Sequence, residues 1–175
     1  MSVSIELVKE LRERTGAGIK ECKDILIETN GDMKRAIEML REKGIEAASK
    51  KQSREAKEGR VEIYVHPGSR LAAIVEINCE TDFVARTDDF IGLCRDLALH
   101  VAAANPRYLT ADQVTDEAVA ESELSREKYI EESVLLAQSF VKNSSLTIDE
   151  LIKQSIAKLG ENCVIRRFAR YEVGG

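Results

Sequence analysis

The chain of 175 residues contains no tryptophan, and its aromatic residues make up 5% of the total. Large aromatic side chains carry much of the apolar surface that proteins bury, so an aromatic outside a predicted core requires an explanation. No apolar run approaches the roughly 20 residues that span a bilayer, and the N-terminus lacks the charged and apolar regions of a signal peptide. We therefore expect no membrane association and a cytoplasmic protein.

The four cysteines include no closely spaced pair. They lie at Cys22, Cys79, Cys94 and Cys163, so the CxxC spacing of metal and redox sites is missing. Free thiols inside cells are commonly small buried side chains, and we predict that role here, with no metal site. An intermolecular disulfide is left open.

The net charge of −5 argues against direct nucleic-acid binding, which normally requires a basic face. The phosphate-loop, dinucleotide-binding and nucleophile-elbow motifs are missing as well. His66 is predicted in or beside a turn and His100 near the end of a helix, where neither has an evident catalytic partner. We therefore predict no enzyme active site and no cofactor, and a binding or regulatory protein instead.

Residues 1–45 predict three short helices joined by tight turns, a small bundle similar to a ubiquitin-associated module. Ser4 and Asp32 are the predicted N-caps of the first and third helices, and Gly16 and Gly44 their predicted ends. The bundle is either a stabilising cap for the rest of the chain or a docking surface. The residues predicted to face inward are Ile5, Leu7, Val8, Leu11, Ile19, Cys22, Ile25, Leu26, Met33, Ala36, Ile37 and Leu40.

A helical linker is predicted at residues 46–60, which are rich in Ala, Lys, Glu and Ser. Residues 61–175 predict a second domain, a small three-stranded antiparallel sheet packed with helices, so the whole chain belongs to the α+β class. Its first strand is predicted as half-buried, because Val61, Ile63 and Val65 alternate with polar or aromatic residues.

The rest of this domain is predicted to contain four helices and two further strands. Asp88 or Asp89 is the predicted cap of the first helix, and the last strand is predicted to pair with the hairpin. The predicted elements are a turn at 66–69, a buried strand at 71–78, helices at 88–105, 114–119, about 125–141 and 147–160, and a strand at 163–173.

Phe83 stands in the short join between the second predicted strand and the following helix. A bulky aromatic in such a connection is normally buried, either on its own core or in another protein. From the residues alone, burial on the chain's own core is favoured.

Three ordered segments resemble the signatures of the elongation factor Ts family. The first is residues 8–18, VKELRERTGAG, which is followed by Cys22-Lys23 and Asn30-Gly31-Asp32. The second is residues 76–86, EINCETDFVAR. The third, in the tail, comprises Gln138, residues 140–142, residues 160–162 and residues 166–168. These segments span nearly the whole chain, which resembles the short form of the family without a long coiled-coil insertion.

The resemblance implies a guanine-nucleotide exchange factor for elongation factor Tu. In the family, the segment that matches Asp82-Phe83 enters the GTPase domain of that partner between two helices, near its magnesium site. Phe83 would then be the wedge, Asp82 would orient the connection or contact the partner, and Thr81 and Val84 would shape it. For Arg86, partner contact and pairing within the chain both stay open. The implied N-terminal docking residues are Val8, Lys9, Leu11, Arg12, Thr15, Gly16 and Gly18.

A homodimer is also expected. Longer relatives present a second core half to another domain of the partner, and this chain resembles the form without it. The strand Val164–Val173 is the candidate interface, because an unpaired sheet edge is a ready pairing site. Two alternatives remain: a peptide- or ubiquitin-like-binding adaptor that uses the bundle, and, more remotely, an unrecognised hydrolase.

Overall fold

The computed structural model describes residues 3–175. Met1 and Ser2 lie outside this range, and so does the part of the signal-peptide prediction that rests on them. In this range helices and a small antiparallel sheet form an α+β fold, as predicted. No helix among the described residues is long and apolar enough to cross a membrane. The elements are α1 (Ile5–Thr15), α2 (Ile19–Glu28), α3 (Met33–Lys51), β1 (Glu58–Val65), β2 (Leu71–Cys79), α4 (Asp82–Ala85), α5 (Asp88–Ala104), a 3-10 turn (Ala111–Gln113), α6 (Asp116–Glu121), α7 (Arg126–Ser133), β3 (Ser139–Phe140), β4 (Asn143–Thr147), α8 (Ile148–Leu159) and β5 (Cys163–Glu172).

The sheet has the strand order β1-β2-β5, and both pairs are antiparallel. The prediction that the last strand pairs with the hairpin is therefore confirmed. On one face of the sheet, alternate residues of β2 pack against helices and form the main core, which also includes buried residues of α5 and α8. Typical members of the main core are Val75, Ile77, Phe90, Leu97, Ile148 and Ile156.

The first three helices enclose a separate bundle core. Ser4 and Asp32 accept backbone hydrogen bonds as N-caps, and Gly16 ends α1 with a positive φ of 70°, as predicted. Ile5 and Ile19 do not face inward, because both are largely exposed. Each is the first residue of its helix, where the short bundle does not cover it. The residues that do fill the bundle core are Val8, Leu11, Cys22, Ile25, Leu26, Ala36 and Leu40.

The prediction that Gly44 ends the third helix is wrong, because α3 continues through it to Lys51. A β-carbon at Gly44 would lie 3.2 Å from the β-carbon of Ala157, so the glycine allows α3 to pack closely on α8. Farther along α3, Ala48 is buried in the main core. One continuous helix thus joins the two cores, and it includes the beginning of the predicted linker. The division of the chain into domains stays a prediction.

Two other local predictions are corrected. The predicted helix from about 125 to 141 ends at Ser133, and the chain then enters the β3-β4 hairpin. The cause is tertiary: the backbone carbonyl of Ser133 accepts hydrogen bonds from Arg107 and Tyr108, which turn the chain onto a neighbouring loop. The N-cap of α5 is Thr87, whose hydroxyl accepts from the Phe90 amide, and the two aspartates occupy the first turn.

All four cysteines are free and buried, as predicted. Cys79 and Cys163 face each other at the end of the β2-β5 pairing. Burial raises the pKa of Cys163 to about 12 and is the largest cause that raises the pKa of Cys79 to about 11. These thiols therefore stay protonated at neutral pH and act as small apolar side chains.

His100 is buried at the centre of a hydrogen-bond network. The Val141 amide donates to its Nδ1 at 3.3 Å, which assigns the ring proton to Nε2, 3.0 Å from the side-chain oxygen of Gln138. The Gln138 amide nitrogen donates in turn to the carbonyls of Ala104 and Glu132. Neutral imidazole satisfies this arrangement, and burial lowers the pKa of His100.

This burial predicts a loss of stability in acid. The unfolded chain binds a proton at His100 near its ordinary pKa of about 6.5, whereas the folded chain resists it. The free energy of unfolding should therefore fall as the pH falls through this value, by at most about 1.4 kcal/mol per pH unit. Urea unfolding between pH 7 and pH 5 measures this effect. His100→Gln should show a shallower dependence. Equal slopes in the parent and His100→Gln would contradict the assignment.

Candidate functional site

Phe83 projects into solvent from α4, a helix of a single turn at the end of β2. Its side chain is 80% exposed, whereas Phe90, seven residues later, is fully buried. Burial of Phe83 on the chain's own core, the alternative that the residues alone favoured, is therefore wrong. An aromatic side chain that is ordered on a helix and left in water is a candidate contact with another molecule.

The helix that carries Phe83 is attached to the main core by its other residues. Ala85 is buried and Val84 is half-buried against the same core. Thr81 is the N-cap, and its hydroxyl accepts a hydrogen bond from the Val84 amide at 3.4 Å. Two of the four predicted residues, Thr81 and Val84, thus hold the segment in place from below, while Phe83 points away.

A carboxylate from the far end of the chain closes the base of this segment. Oε2 of Glu161 accepts hydrogen bonds from the backbone amides of Glu80 and Thr81 at 3.1 and 3.0 Å. Its Oε1 accepts from the Thr81 hydroxyl at 2.6 Å. In return, the Glu80 carboxylate accepts from the Asn162 amide at 2.7 Å. Glu161 lies about 80 residues from Thr81, and its place in the third family signature does not indicate this contact.

The charged residues beside Phe83 are paired within the chain. Arg86 lies 2.8 Å from the carboxylate of Asp82, one helical turn earlier, and Arg54 lies 3.6 Å from Glu80. Both arginines are exposed, and such surface pairs contribute little to stability. Asp82 therefore remains accessible to another molecule, at small cost to the fold. Among the described residues, no group of three His, Cys, Asp or Glu side chains could hold a metal ion.

The predicted N-terminal docking residues divide into two kinds. Val8 and Leu11 are buried in the bundle core, so their side chains support α1 from within. Lys9 and Arg12 are exposed on the same helix. The exposed Ile19, at the start of α2, was predicted to face inward and was missed as a surface residue. The other predicted docking residues form the turn between the helices, where Thr15 donates to the Leu11 carbonyl, Gly16 ends α1 and Gly18 caps α2.

The two sets of predicted residues belong to different cores. Helix α1 packs against α2 and α3, whereas α4 packs against β1, β2 and α5. The structure therefore gives two separate candidate surfaces, connected through α3.

Comparison with known proteins assigns the family. The family model described as Elongation factor TS matches residues 4–127. This range contains both the Phe83 segment and the N-terminal surface. The chain belongs to the elongation factor Ts family.

Relatives in the elongation factor Ts family match nearly the whole chain. The protein named elongation factor Ts from Herpetosiphon aurantiacus is 53% identical, and the match covers 99% of each chain. Those from Caldanaerobacter subterraneus subsp. tengcongensis and Heliobacterium modesticaldum are 45% and 46% identical over 98% of this chain, with 97% and 90% of the relatives covered. The resemblance noted in the three sequence signatures is therefore confirmed over the full length.

This elongation factor Ts family member also exposes one apolar face of its sheet. Val61, Ile63 and Val65 of β1 are each more than half exposed, so the apolar side of this strand faces solvent and not the helices. The helices cover the other face, to which β2 contributes Ala73 and Val75. Period-two alternation predicts a strand with two different faces but does not say which face receives the helices. The exposed face continues across the sheet through Ala72, Ile74, Ala169 and Tyr171.

The exposure of Phe83 predicts that it contributes little to folding. Phe83→Ala should change the free energy of unfolding by less than about 0.5 kcal/mol, as for other surface substitutions. Phe90→Ala, its buried counterpart, should cost about 3–5 kcal/mol because it leaves a cavity in the main core. Urea unfolding of the three proteins tests this, and a large loss of stability in Phe83→Ala would contradict the exposed position.

Proposed function

We propose that this chain is the guanine-nucleotide exchange factor of elongation factor Tu in translation elongation. It binds the GDP complex and promotes release of GDP, so that GTP can bind. The observation that carries this proposal is Phe83, an aromatic side chain 80% exposed on a helical turn that is otherwise fixed to the core. Membership of the elongation factor Ts family supports it. The chain promotes nucleotide exchange by binding elongation factor Tu in the cytoplasm, without chemical catalysis of its own.

Phe83 acts as a wedge near the magnesium and phosphate site of the partner. Magnesium requires near-ideal octahedral geometry and contacts the nucleotide phosphates, so a small displacement of its surroundings weakens nucleotide binding. Burying one Phe side chain is worth roughly 1.5–3 kcal/mol. At about 1.4 kcal/mol for each factor of ten, this accounts for roughly a 10- to 100-fold weakening of nucleotide binding. Asp82 contacts the partner or orients the turn beside the wedge.

The N-terminal bundle supplies the second contact with elongation factor Tu. Lys9 and Arg12 are exposed on α1 and are available for polar contacts, and Ile19 adds an apolar one. The buried Val8 and Leu11 keep this surface in shape. Because coupling between two ligands of one protein is reciprocal, GDP loosens the factor as much as the factor loosens GDP, and GTP finally displaces the factor.

Release of a fluorescent GDP from elongation factor Tu tests the proposal. The parent protein should accelerate release, and Phe83→Ala should reduce this acceleration about 10- to 100-fold, since the energy of the buried ring is lost. Val141→Ala is the matched control, because it shortens a half-exposed apolar side chain away from both proposed surfaces. The wedge is disproved if Phe83→Ala is folded and as fast as the parent. An adaptor that uses the bundle would show no acceleration in any variant.

We also propose that the chain is a homodimer through the exposed apolar face of its sheet. Monomeric proteins rarely leave a contiguous apolar sheet face in water. Two such faces can stack across a two-fold axis, as sheets do in a sandwich. The strand β5, the interface candidate in the sequence, adds Ala169 and Tyr171 to this face, while its outer edge offers the alternative of edge-to-edge pairing.

The variant Ile63→Asp distinguishes the face from the edge. Ile63 lies on β1, the edge strand opposite β5. The substitution therefore places a charge on the apolar face and leaves the β5 edge intact. A carboxylate buried in an apolar interface is costly, and dimer dissociation should become at least about tenfold more favourable. Sedimentation at micromolar concentration measures this, with Ile27→Asp on the bundle as the control. A dimer that persists unchanged in Ile63→Asp would disprove the face-to-face arrangement.

A further inference from the structure

Glu161 lies in the turn between α8 and β5, directly beside the base of the Phe83 segment. We propose that Glu161 is a positioning residue for nucleotide exchange: its carboxylate fixes Glu80 and Thr81 so that Phe83 already points in the direction in which it enters elongation factor Tu. This inference rests on the proposed function. It assigns a role to a residue whose carboxylate binds Glu80 and Thr81, at the base of the turn that carries Phe83.

The hydrogen-bond donors lie in the short connection between β2 and α4. The pairing of β2 with β5 ends at Cys79, and α4 begins at Asp82. The amides of Glu80 and Thr81 therefore take part neither in the sheet nor in the helix. Half-buried amides without a partner are unfavourable, and this backbone would otherwise turn toward water. One carboxylate oxygen binds both amides, and the other binds the Thr81 hydroxyl. Hydrogen bonds to a charged acceptor are among the stronger ones in proteins.

The attachment between the two segments is mutual. The Glu80 carboxylate accepts from the Asn162 amide, and the side-chain nitrogen of Asn162 donates to the carbonyls of Gln52 and Arg54. Asn162 is buried, so this turn is itself anchored. Glu161 therefore reaches the Phe83 segment from a fixed point.

The direction of the Phe83 side chain depends on the backbone of its helical turn. A side chain that is 80% exposed has few contacts of its own to hold it. Its position follows from Thr81, Val84 and Ala85, and Glu161 holds the start of this turn. A wedge fixed before binding loses less conformational freedom when it enters the partner, so more of its burial energy acts on the nucleotide site.

Three substitutions separate positioning from general stability. Glu161→Met removes both acceptor oxygens, and with them all three hydrogen bonds, and keeps a side chain of similar length. Glu161→Gln keeps an oxygen for the two amides, and its NH2 group can donate to the Thr81 hydroxyl. Glu150→Met is the matched control, because Glu150 also accepts from a backbone amide, that of Thr147, but at the opposite end of α8.

The first measurement is fluorescent GDP release from elongation factor Tu at saturating factor. Glu161→Met should lower the maximal rate about tenfold, which corresponds to about 1.4 kcal/mol. Glu161→Gln should stay within about threefold of the parent, a difference of less than 1 kcal/mol, and Glu150→Met should match the parent. In the Phe83→Ala background, Glu161→Met should have no further effect, because the wedge that it positions is gone. Glu161→Met at the rate of the parent, or equal slowing with and without Phe83, would overturn the proposal.

The second measurement is amide hydrogen exchange in the free protein, which does not depend on the partner. Exchange at Glu80 and Thr81 should accelerate in Glu161→Met and remain slow in Glu150→Met. Unchanged amide hydrogen exchange in Glu161→Met would contradict the positioning role of Glu161 and leave the proposed function standing. If the parent protein fails to accelerate GDP release, the proposed function is wrong, and the two failures are thereby distinguished.

Should Glu161→Met not fold, Thr81→Val serves in its place. It removes the hydroxyl that donates to Glu161 and retains a branched side chain, so GDP release should slow about threefold, or roughly 0.7 kcal/mol. Thr81→Ser keeps the hydroxyl, with both its bond to Glu161 and its N-cap bond from the Val84 amide, and should accelerate GDP release more than Thr81→Val does. Equal rates for the Val and Ser variants would overturn the proposal.

Discussion

The burial of alternate residues along β2 determines what this protein presents to other molecules. Val75 and Ile77 face the helices, and because side chains alternate along a strand, Ile74 and its neighbours across the sheet must face away. The same strand ends at Cys79, against the start of β5, and the chain must leave the sheet there. The apolar face and the position of α4 both follow from this one packing arrangement.

The sequence was a good guide wherever the determining interaction is local. The N-caps Ser4 and Asp32 and the glycine stop at Gly16 involve residues a few positions apart, and the structure has all three. Gly44 is the opposite case. Its role depends on Ala157 of α8, which only the tertiary packing brings within contact, so a glycine that resembles a helix end lies inside a helix. Likewise, the residues after Ser133 carry a helical pattern, but hydrogen bonds to a distant loop fix another path.

The candidate site was predictable to a smaller extent. Phe83 was identified from its place in a connection, yet the residues alone favoured burial on its own core, and only the family signature pointed to another protein. Whether a side chain is exposed depends on what surrounds it in space, and that information is not in the neighbouring sequence. The contact of Glu161 with Thr81 joins segments 80 residues apart, and no pattern near either residue indicates it. Relatives at 45–53% identity over nearly the full length support the family but do not assign these roles.

Helix α3 gives the two candidate surfaces a fixed separation. Its 19 residues run without interruption from the bundle core to the main core, a length of about 28 Å at 1.5 Å per residue. A side-chain hydrogen bond from Lys51 to the Gly160 carbonyl fixes its end beside the turn that holds the Phe83 segment. A continuous helix bends little, so the distance between the two candidate surfaces changes little. A partner that contacts both candidate surfaces must offer two sites at the matching spacing.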